Sequence, residues 1–309
     1  MTAAGFFINM NPMREKLHYT IHISCAGMSV GRFLRAQGYS RHIMTWLKSG
    51  DDCILVNGTP VFTNYLLQEG DCLTVRLPRP QNAAVIPPSP VDFSVVYEDE
   101  DLLVIHKPAG IPVHPSPGNY TNTLANGLAL FFSQKGQPFV FHCINRLDRD
   151  TSGLLIVALH PISASLLSAQ MASRKIARTY LALAEGQTPL SGVVSAPIGR
   201  KPGSIIERHI DLEQGEPAVT HYRTLAHYSG YSLIELHLET GRTHQIRVHM
   251  ASIGHPLLGD SLYHPDSAFS MPRQALHSCA LKFCHPITKE AMRFSAPLPS
   301  DMQAWVDYL

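Results

Sequence analysis

The most chemically suggestive stretch of the sequence is FHCINRLDRDTSGLLIVAL, in which charged residues run directly into an apolar segment. Asp148 stands between Arg146 and Arg149, and Gly153 lies at the entry to a predicted strand, Leu154–Leu159. Arginines beside a carboxylate favour its charged form, so Asp148 could act as a nucleophile or as a charge partner. A network of ion pairs that only fixes the loop is the alternative for the same residues.

A second stretch, SRKIARTYLALAEG, places an aromatic residue after three basic ones. Tyr180 begins the predicted strand Thr179–Ala184. An aromatic ring with a polar tip beside cations suits stacking against a nucleic-acid base. The alternative is an ordinary half-buried strand tyrosine.

The third stretch, LETGRTHQIRVHMASIGHPLLGD, predicts a helix over His244–Ile253 with Thr243 as its N-cap and Ile253 on its core face. Arg247 would project from the first turn and Arg242 would precede the cap, so either could reach the Asp148 loop. The histidines of this stretch lack the H-E-x-x-H spacing and a nearby acidic ligand, which argues against a metal site.

Several enzyme classes have no sequence support. The chain contains no P-loop, G-x-G-x-x-G or G-x-S-x-G motif, so nucleotide hydrolysis, dinucleotide redox chemistry and serine hydrolysis are disfavoured. A glycosidase usually needs two carboxylates that flank the scissile bond. Asp148 and Asp150 are too close in sequence, and too embedded in arginine, to favour that function.

Together these stretches resemble the RluA family of RNA pseudouridine synthases, over about residues 92–300. The family-like motifs stand in chain order at His106–Pro115, Arg146–Leu155, Arg178–Ala182, Gly215–Tyr222, Gly241–His249 and Gly254–Asp260. Two positions depart from the family pattern: His106 replaces the usual Asn, and Asn145 replaces a frequent His.

The resemblance implies an α+β catalytic domain of the pseudouridine synthase fold that isomerises uridine in structured RNA. It makes Asp148 the catalytic nucleophile, Tyr180 the residue that contacts the uracil, and Arg247 the ion-pair partner of Asp148. Because the reaction is an isomerisation, the resemblance implies neither a cofactor nor a metal. The candidates to stabilise the opened RNA are Arg146, Arg149 and Arg242.

A basic region near the N-terminus is the second candidate for RNA binding. Residues 1–80 carry a net charge of +3, although the whole chain carries only +1. Ser29 and Ser40 are predicted to cap two short helices, and a hairpin with an Asn57-Gly58 turn follows them. The predicted phosphate-binding residues on these helices are Arg32, Arg35, Arg41, His42 and Lys48. Residues 16–78 resemble the αL-motif RNA-binding domain of a ribosomal protein, which implies binding of structured RNA without base readout.

The elements that must position these groups fall into four predicted segments. A tail covers residues 1–15, the αL-type domain covers 16–78, a proline-rich linker covers 79–92, and the catalytic domain covers 93–309. Strands joined by hairpin turns in the last segment predict a mainly antiparallel mixed sheet, hence an α+β fold.

Composition sets the remaining expectations. The chain of 309 residues is 45% hydrophobic, and no apolar run approaches the roughly 18 residues of a membrane span. Its six cysteines form no C-x-x-C pair, which favours reduced thiols in the cytoplasm. We expect a monomer without a membrane partner that acts on structured RNA, with ribosomal RNA favoured over transfer RNA. A catalytically silent RNA-binding or assembly protein is the alternative, and it would be expected to lack Asp148, Tyr180 or Arg247.

Overall fold

The computed structural model describes residues 14–50, 52–77 and 86–306. Most of the predicted N-terminal tail (1–13) and the first part of the predicted linker, through residue 85, lie outside the described residues. Residues 86–93 adopt neither helix nor strand, as their prolines predict. The fold is α+β with a mainly antiparallel sheet, which confirms the predicted class.

Sixteen strands lie in the described part of the chain. They are β1 (Lys16–Thr20), β2 (Ile54–Val56), β3 (Thr59–Pro60), β4 (Cys72–Arg76), β5 (Ser94–Glu98), β6 (Leu102–Lys107), β7 (His142–Cys143), β8 (Ser152–Ala158), β9 (Ala177–Glu185), β10 (Ser191–Ser195), β11 (Ile198–Arg200), β12 (Arg208–Ile210), β13 (Val219–Tyr228), β14 (Tyr231–Leu238), β15 (Leu276–Cys284) and β16 (Ala291–Ser295). The α-helices are α1 (Val30–Ala36), α2 (Arg41–Ser49), α3 (Leu124–Gln134), α4 (Pro161–Ala172), α5 (Gln245–Ser252) and α6 (Ser300–Gln303).

The first four strands form a small antiparallel sheet in the order β1-β4-β2-β3, with α1 and α2 packed in the same apolar core. The side chains of Ser29 and Ser40 each accept a hydrogen bond from a first-turn amide, which confirms both predicted caps. The core of this unit includes Ile162 and Leu166 of α4, so the small sheet and its helices pack against the rest of the molecule.

The large sheet has the strand order β10-β13-β14-β9-β15-β8-β6-β5. In addition, β7 pairs with β8 and β16 pairs with β15. Among the described strands only β8 and β15 pair in parallel. Helices α3 and α5 share a core with one face of this sheet, and α4 shares a core with the other face of β6 and β8. Burial on both faces explains why β6 and β8 read as unbroken apolar runs.

Helix α3 was not predicted from the sequence. The helix begins with a capping box of Thr123 and Asn126. Gly127 follows Asn126, and because Asn-Gly is a common turn signal, the sequence does not indicate a helix here. A Cβ at Gly127 would lie 2.9 Å from Val91 Cβ, so the glycine is required by close packing against the segment before β5. The helix is therefore stabilised by a tertiary contact that its local sequence does not reveal.

Candidate active site

Three distant segments place the predicted catalytic side chains in one cavity. Asp148 lies in the loop between β7 and β8, Tyr180 lies on β9, and Arg247 lies in the first turn of α5. All three line a cavity of about 660 Å³. Strands β8 and β9 both pair with β15, and α5 packs in the same core as Tyr180, so the sheet order brings these segments together.

Arg247 is held between two carboxylates. Its Nε and one terminal nitrogen donate to the Asp260 carboxylate at 2.8 and 2.7 Å. Its other terminal nitrogen lies 3.6 Å from Asp148 Oδ2. Burial opposes the charge, but the hydrogen bonds to Asp260 and the charge of Asp148 raise the pKa of Arg247 above its ordinary value. The guanidinium is therefore a permanent, oriented charge beside Asp148.

The arginines that flank Asp148 in sequence do not pair with it. Arg149 is exposed and forms an ion pair with Asp150 at 3.1 Å, while Arg146 is exposed at the cavity wall. Sequence proximity suggested these two as charge partners, but adjacent loop residues point in different directions. Arg242 also lines the cavity, where it pairs with Glu216 and donates to the Pro217 carbonyl at 3.1 Å.

Tyr180 is almost fully buried, with 4% of its surface exposed. It stands opposite Leu236 of β14 and Ser278 of β15 in the sheet register. Burial raises the pKa of its hydroxyl, so the phenol is protonated at neutral pH. Arg178, two residues earlier on the same strand, is also buried, and it donates to the Thr240 carbonyl at 3.0 Å.

The predicted N-cap of α5 is wrong. His244, not Thr243, precedes the helix, and its φ of 58° lies in the left-handed region. Its Nδ1 and the Tyr263 hydroxyl share a hydrogen bond of 2.8 Å, which helps to hold this uncommon backbone conformation. Ile253 is also 38% exposed rather than a core residue. The residue before the helix is therefore held by a contact with Tyr263 rather than by a side-chain cap.

Comparisons with known proteins identify the family. The family model described as RNA pseudouridylate synthase matches residues 101–252. The chain is 42% identical to "Uncharacterized RNA pseudouridine synthase YjbO" of Bacillus subtilis, over 89% of this chain and 97% of that protein. It is 37% identical to "Ribosomal large subunit pseudouridine synthase D" of Neisseria meningitidis serogroup B, over 96% of this chain and 82% of that protein. The solved structure of human "RNA Pseudouridylate Synthase Domain Containing 1" matches with a TM-score of 0.54 and 28% identity, over 67% of this chain and 83% of that one.

The chain belongs to the RNA pseudouridine synthase family. It is thus an isomerase of uridine in RNA, and the family resemblance drawn from its motifs is confirmed. No helix among the residues that the structure describes has the length and apolar character to span a membrane.

The synthase contains a buried lysine that sequence reasoning did not single out. Lys107 ends β6 and is fully buried; its Nζ donates to the carbonyls of Pro108, Ile111 and Arg149 at 2.8 to 2.9 Å. Burial lowers the pKa of this ammonium to about 7. Its position in the family-like motif at His106–Pro115 was the available signal, but its three acceptors come together only in the folded chain.

The two departures from the family pattern, Asn145 and His106, lie beside the Asp148 loop and not at the predicted catalytic residues. Asn145 is buried, and its side-chain oxygen accepts from the Ile156 amide at 2.8 Å, which joins the start of the loop to β8. His106 pairs with Leu154 in the sheet, and its ring lies 5.8 Å from that of His277. Burial lowers the pKa of His106.

Within the described residues, one side-chain group has the spacing for a metal ion: Asp99, Asp101 and His285. Its ligand atoms already bind one another or neighbours. His285 Nε2 lies 2.8 Å from Asp99, and Asp101 lies 2.7 Å from Arg14 Nε and 2.8 Å from His160. These three residues form an ion-pair network between the start of β6 and the end of β15, and none of them lines the cavity.

The predicted RNA-binding residues of the N-terminal unit lie on α1 and α2, and they do not line the cavity. These exposed residues are Arg32, Arg35, Arg41, His42 and Lys48. None of them forms an ion pair with any residue that the structure describes, whereas Arg149 and Arg223 pair with acids. Within the part of the chain that the structure describes, these two helices therefore carry exposed cations without acidic partners.

Proposed function

We propose that Asp148 is the nucleophile of the isomerisation, with Arg247 as its orienting cation and Tyr180 as the residue that contacts the uracil. The observation that carries this assignment is the convergence of the three side chains on one cavity, with Arg247 3.6 Å from the Asp148 carboxylate. A charged, oriented carboxylate is the group that can attack the anomeric carbon of uridine or assist formation of a glycal-like intermediate.

The chemistry balances without any added reagent. The bond between the anomeric carbon and N1 of uracil breaks, and the base turns while it stays in the cavity. A new bond joins the anomeric carbon to carbon 5, and any bond from that carbon to the Asp148 carboxylate breaks. Carbon 5 then loses its proton to water while N1 gains one from water, so the product is an isomer of the substrate and no reagent is consumed. The hydroxyl of Tyr180 stays protonated at neutral pH and a neutral phenol is a very weak base, so we assign Tyr180 to holding the detached base by packing.

Base flipping is the second part of the proposal. A cavity of about 660 Å³ lies within the range that encloses a small ligand, which suits one nucleotide. The target uridine must leave its stack, at a cost of a few kcal/mol. We assign Arg146, Arg149 and Arg242 to the opened RNA, because each lines the cavity.

We further propose that the target is large-subunit (23S) ribosomal RNA, with transfer RNA as the alternative. Relatives from Neisseria meningitidis and Zymomonas mobilis are named large-subunit pseudouridine synthases, at 37% and 43% identity. We assign residues 16–78 to binding of structured RNA, because α1 and α2 carry exposed cations without acidic partners among the described residues. Such a face can bind phosphates without reading bases.

Tritium release from RNA labelled at uracil carbon 5 tests the assignment of Asp148. The substrates are total ribosomal and total transfer RNA from cells that lack this protein. Wild type should release tritium from ribosomal RNA, and Asp148→Asn should release none while it keeps its fold and RNA affinity. Asp150→Asn is the matched control, because it removes the same charge from the same loop and should stay active.

Other outcomes have distinct meanings. Parallel loss of RNA binding and activity in Asp148→Asn would make Asp148 a contact or structural residue rather than the nucleophile. Release from transfer RNA alone would overturn the ribosomal assignment and leave the chemistry intact.

A further inference from the structure

Arg273 connects the catalytic loop to the C-terminal helix. One of its terminal nitrogens donates to the Asp150 carbonyl at 3.0 Å, and the other donates to Ser152 Oγ at 3.3 Å. Its Nε, and the same terminal nitrogen that donates to Ser152, donate to the Asp301 carboxylate of α6 at 2.7 and 3.0 Å. Arg273 is 8% exposed, so the guanidinium itself is buried, while the Asp301 carboxylate is partly exposed.

The arginine is itself fixed to the segment that leads into β15. It donates to the carbonyls of Gln274 and Leu276 at 3.1 and 3.2 Å. The next side chain, Gln274, donates to Thr151 Oγ1 at 3.4 Å. A planar guanidinium with five donors suits this arrangement, since it can bind several acceptors in fixed directions at once.

The Asp148 carboxylate depends on its backbone for its position. Among the described residues its nearest charged partner is Arg247 at 3.6 Å, which is longer than a direct hydrogen bond. The backbone that follows is held by three bonds: Thr151 N to Asp148 O at 3.1 Å, Lys107 Nζ to Arg149 O at 2.9 Å, and Arg273 to Asp150 O at 3.0 Å.

We propose that Arg273 is a positioning residue of the synthase, and that Asp301 of α6 orients it. By holding the Asp150 carbonyl and the Ser152 hydroxyl, Arg273 keeps the Asp148 carboxylate at its working distance from Arg247. The C-terminal helix thereby contributes to catalysis without contacting RNA. This role rests on the proposed function, because it assumes that Asp148 is the nucleophile.

The test measures kcat and KM for tritium release from carbon-5-labelled total ribosomal RNA with the full chain. Arg273→Gln should lower kcat at least tenfold and change KM less than twofold, because the groups assigned to RNA are untouched. Arg273→Lys should recover part of the loss, since a lysine ammonium can donate to one of the acceptors but cannot donate to Asp150 and Asp301 in fixed directions at once. Asp301→Asn should lower kcat severalfold with KM unchanged.

Two controls separate positioning from folding and from the proposed chemistry. Asp101→Asn breaks a buried ion pair at the far end of β6, so it should lower the melting temperature and leave kcat unchanged. Asp148→Asn should be inactive. All rates are measured at a temperature where circular dichroism shows each variant folded.

A normal kcat in Arg273→Gln beside an inactive Asp148→Asn would overturn the positioning role and spare the proposed function. Equal losses in kcat and RNA affinity, without recovery in Arg273→Lys, would also overturn it and leave a structural role. Activity in Asp148→Asn would overturn the proposed function itself, whatever the Arg273 variants do.

Discussion

At the scale of single residues, the site depends on how charges are shared. Asp260 is fully buried and takes two nitrogens of Arg247, which leaves the third directed at Asp148. A buried ion pair is stable only when both partners are present, because each charge has lost its water. Asp260 therefore sets the direction in which Arg247 faces the Asp148 carboxylate.

Replacing Asp260 by Asn should leave Arg247 buried with a weaker partner. We expect the free energy of unfolding to fall by about 3–5 kcal/mol. The rate of tritium release should also fall, because Arg247 loses the partner that directs it at Asp148. Urea unfolding measures the first effect. Asp266→Asn, an exposed neighbour, should change stability by less than about 0.5 kcal/mol. Equal stability of the two variants would show that Asp260 is not a required partner of Arg247.

At the scale of elements, the start of β8 carries the Asp148 loop into the sheet. Gly153 has a φ of 113° and pairs with Ser278 of β15. A Cβ there would lie 2.3 Å from the Ser278 carbonyl oxygen and 2.6 Å from its nitrogen. Since both obstacles are backbone atoms, the strand would have to separate from β15 to accept any side chain.

Gly153→Ala should therefore destabilise the protein by about 3 kcal/mol or more, from steric overlap together with backbone strain. Gly203→Ala is the matched control, because its φ is 77° but no atom lies near the added Cβ. It should cost about 1 kcal/mol from strain alone. Chemical denaturation compares the two variants, and equal losses would contradict the close approach of β8 and β15.

At the scale of the whole molecule, charge is distributed unevenly. The chain has a net charge of only +1, yet α1 and α2 carry exposed cations with no acid paired to them in the described residues. Binding to RNA through such a face releases counterions and weakens as salt rises.

Arg35→Glu combined with Arg41→Glu should weaken RNA binding and reduce the slope of log K against log salt by about 2. The rate at saturating RNA should change little, because neither residue lines the cavity. Fluorescence titration at several salt concentrations gives the slope. A slope equal to that of wild type would remove these helices from the binding surface.

Acid should destabilise the fold through His277. This side chain is fully buried against Ser152, and burial lowers its pKa to about 4. In the unfolded chain His277 is protonated once the pH falls below its ordinary pKa of about 6.5. In the folded chain it stays neutral until about pH 4. The stability that His277 contributes is thus complete above pH 6.5 and is lost as pH falls towards 4.

The expected loss between pH 7 and pH 4 is about 3 kcal/mol. His277→Asn cannot titrate and should lack this loss. The unfolding free energy of the variant minus that of wild type should therefore rise as the pH falls from 7 to 4. Urea unfolding at pH 7, 5.5 and 4 measures the difference. If the difference in unfolding free energy between the variant and wild type were the same at all three pH values, His277 would take up its proton equally easily in the folded and unfolded chains, contrary to the prediction.

The sequence by itself determined the features that depend on neighbouring residues. The caps at Ser29 and Ser40 use a side chain and an amide within one turn, so their spacing was sufficient. The motifs around Asp148, Tyr180 and Arg247 likewise indicated the family, because residue type and order along the chain carry that signal. The antiparallel α+β class followed from the hairpin turns.

Only the tertiary structure decided which charges meet. Arg247 binds Asp260 with two nitrogens, and Arg149 pairs with Asp150 rather than with Asp148. Arg273 donates to the carbonyl of Asp150, 123 positions earlier in the chain. These contacts depend on strand order and on the parallel register of β8 with β15, which bring distant segments within hydrogen-bond distance. The spacing of residues along the chain does not predict these contacts between distant side chains. Which strands pair, and in which register, depends on burial of the whole apolar core.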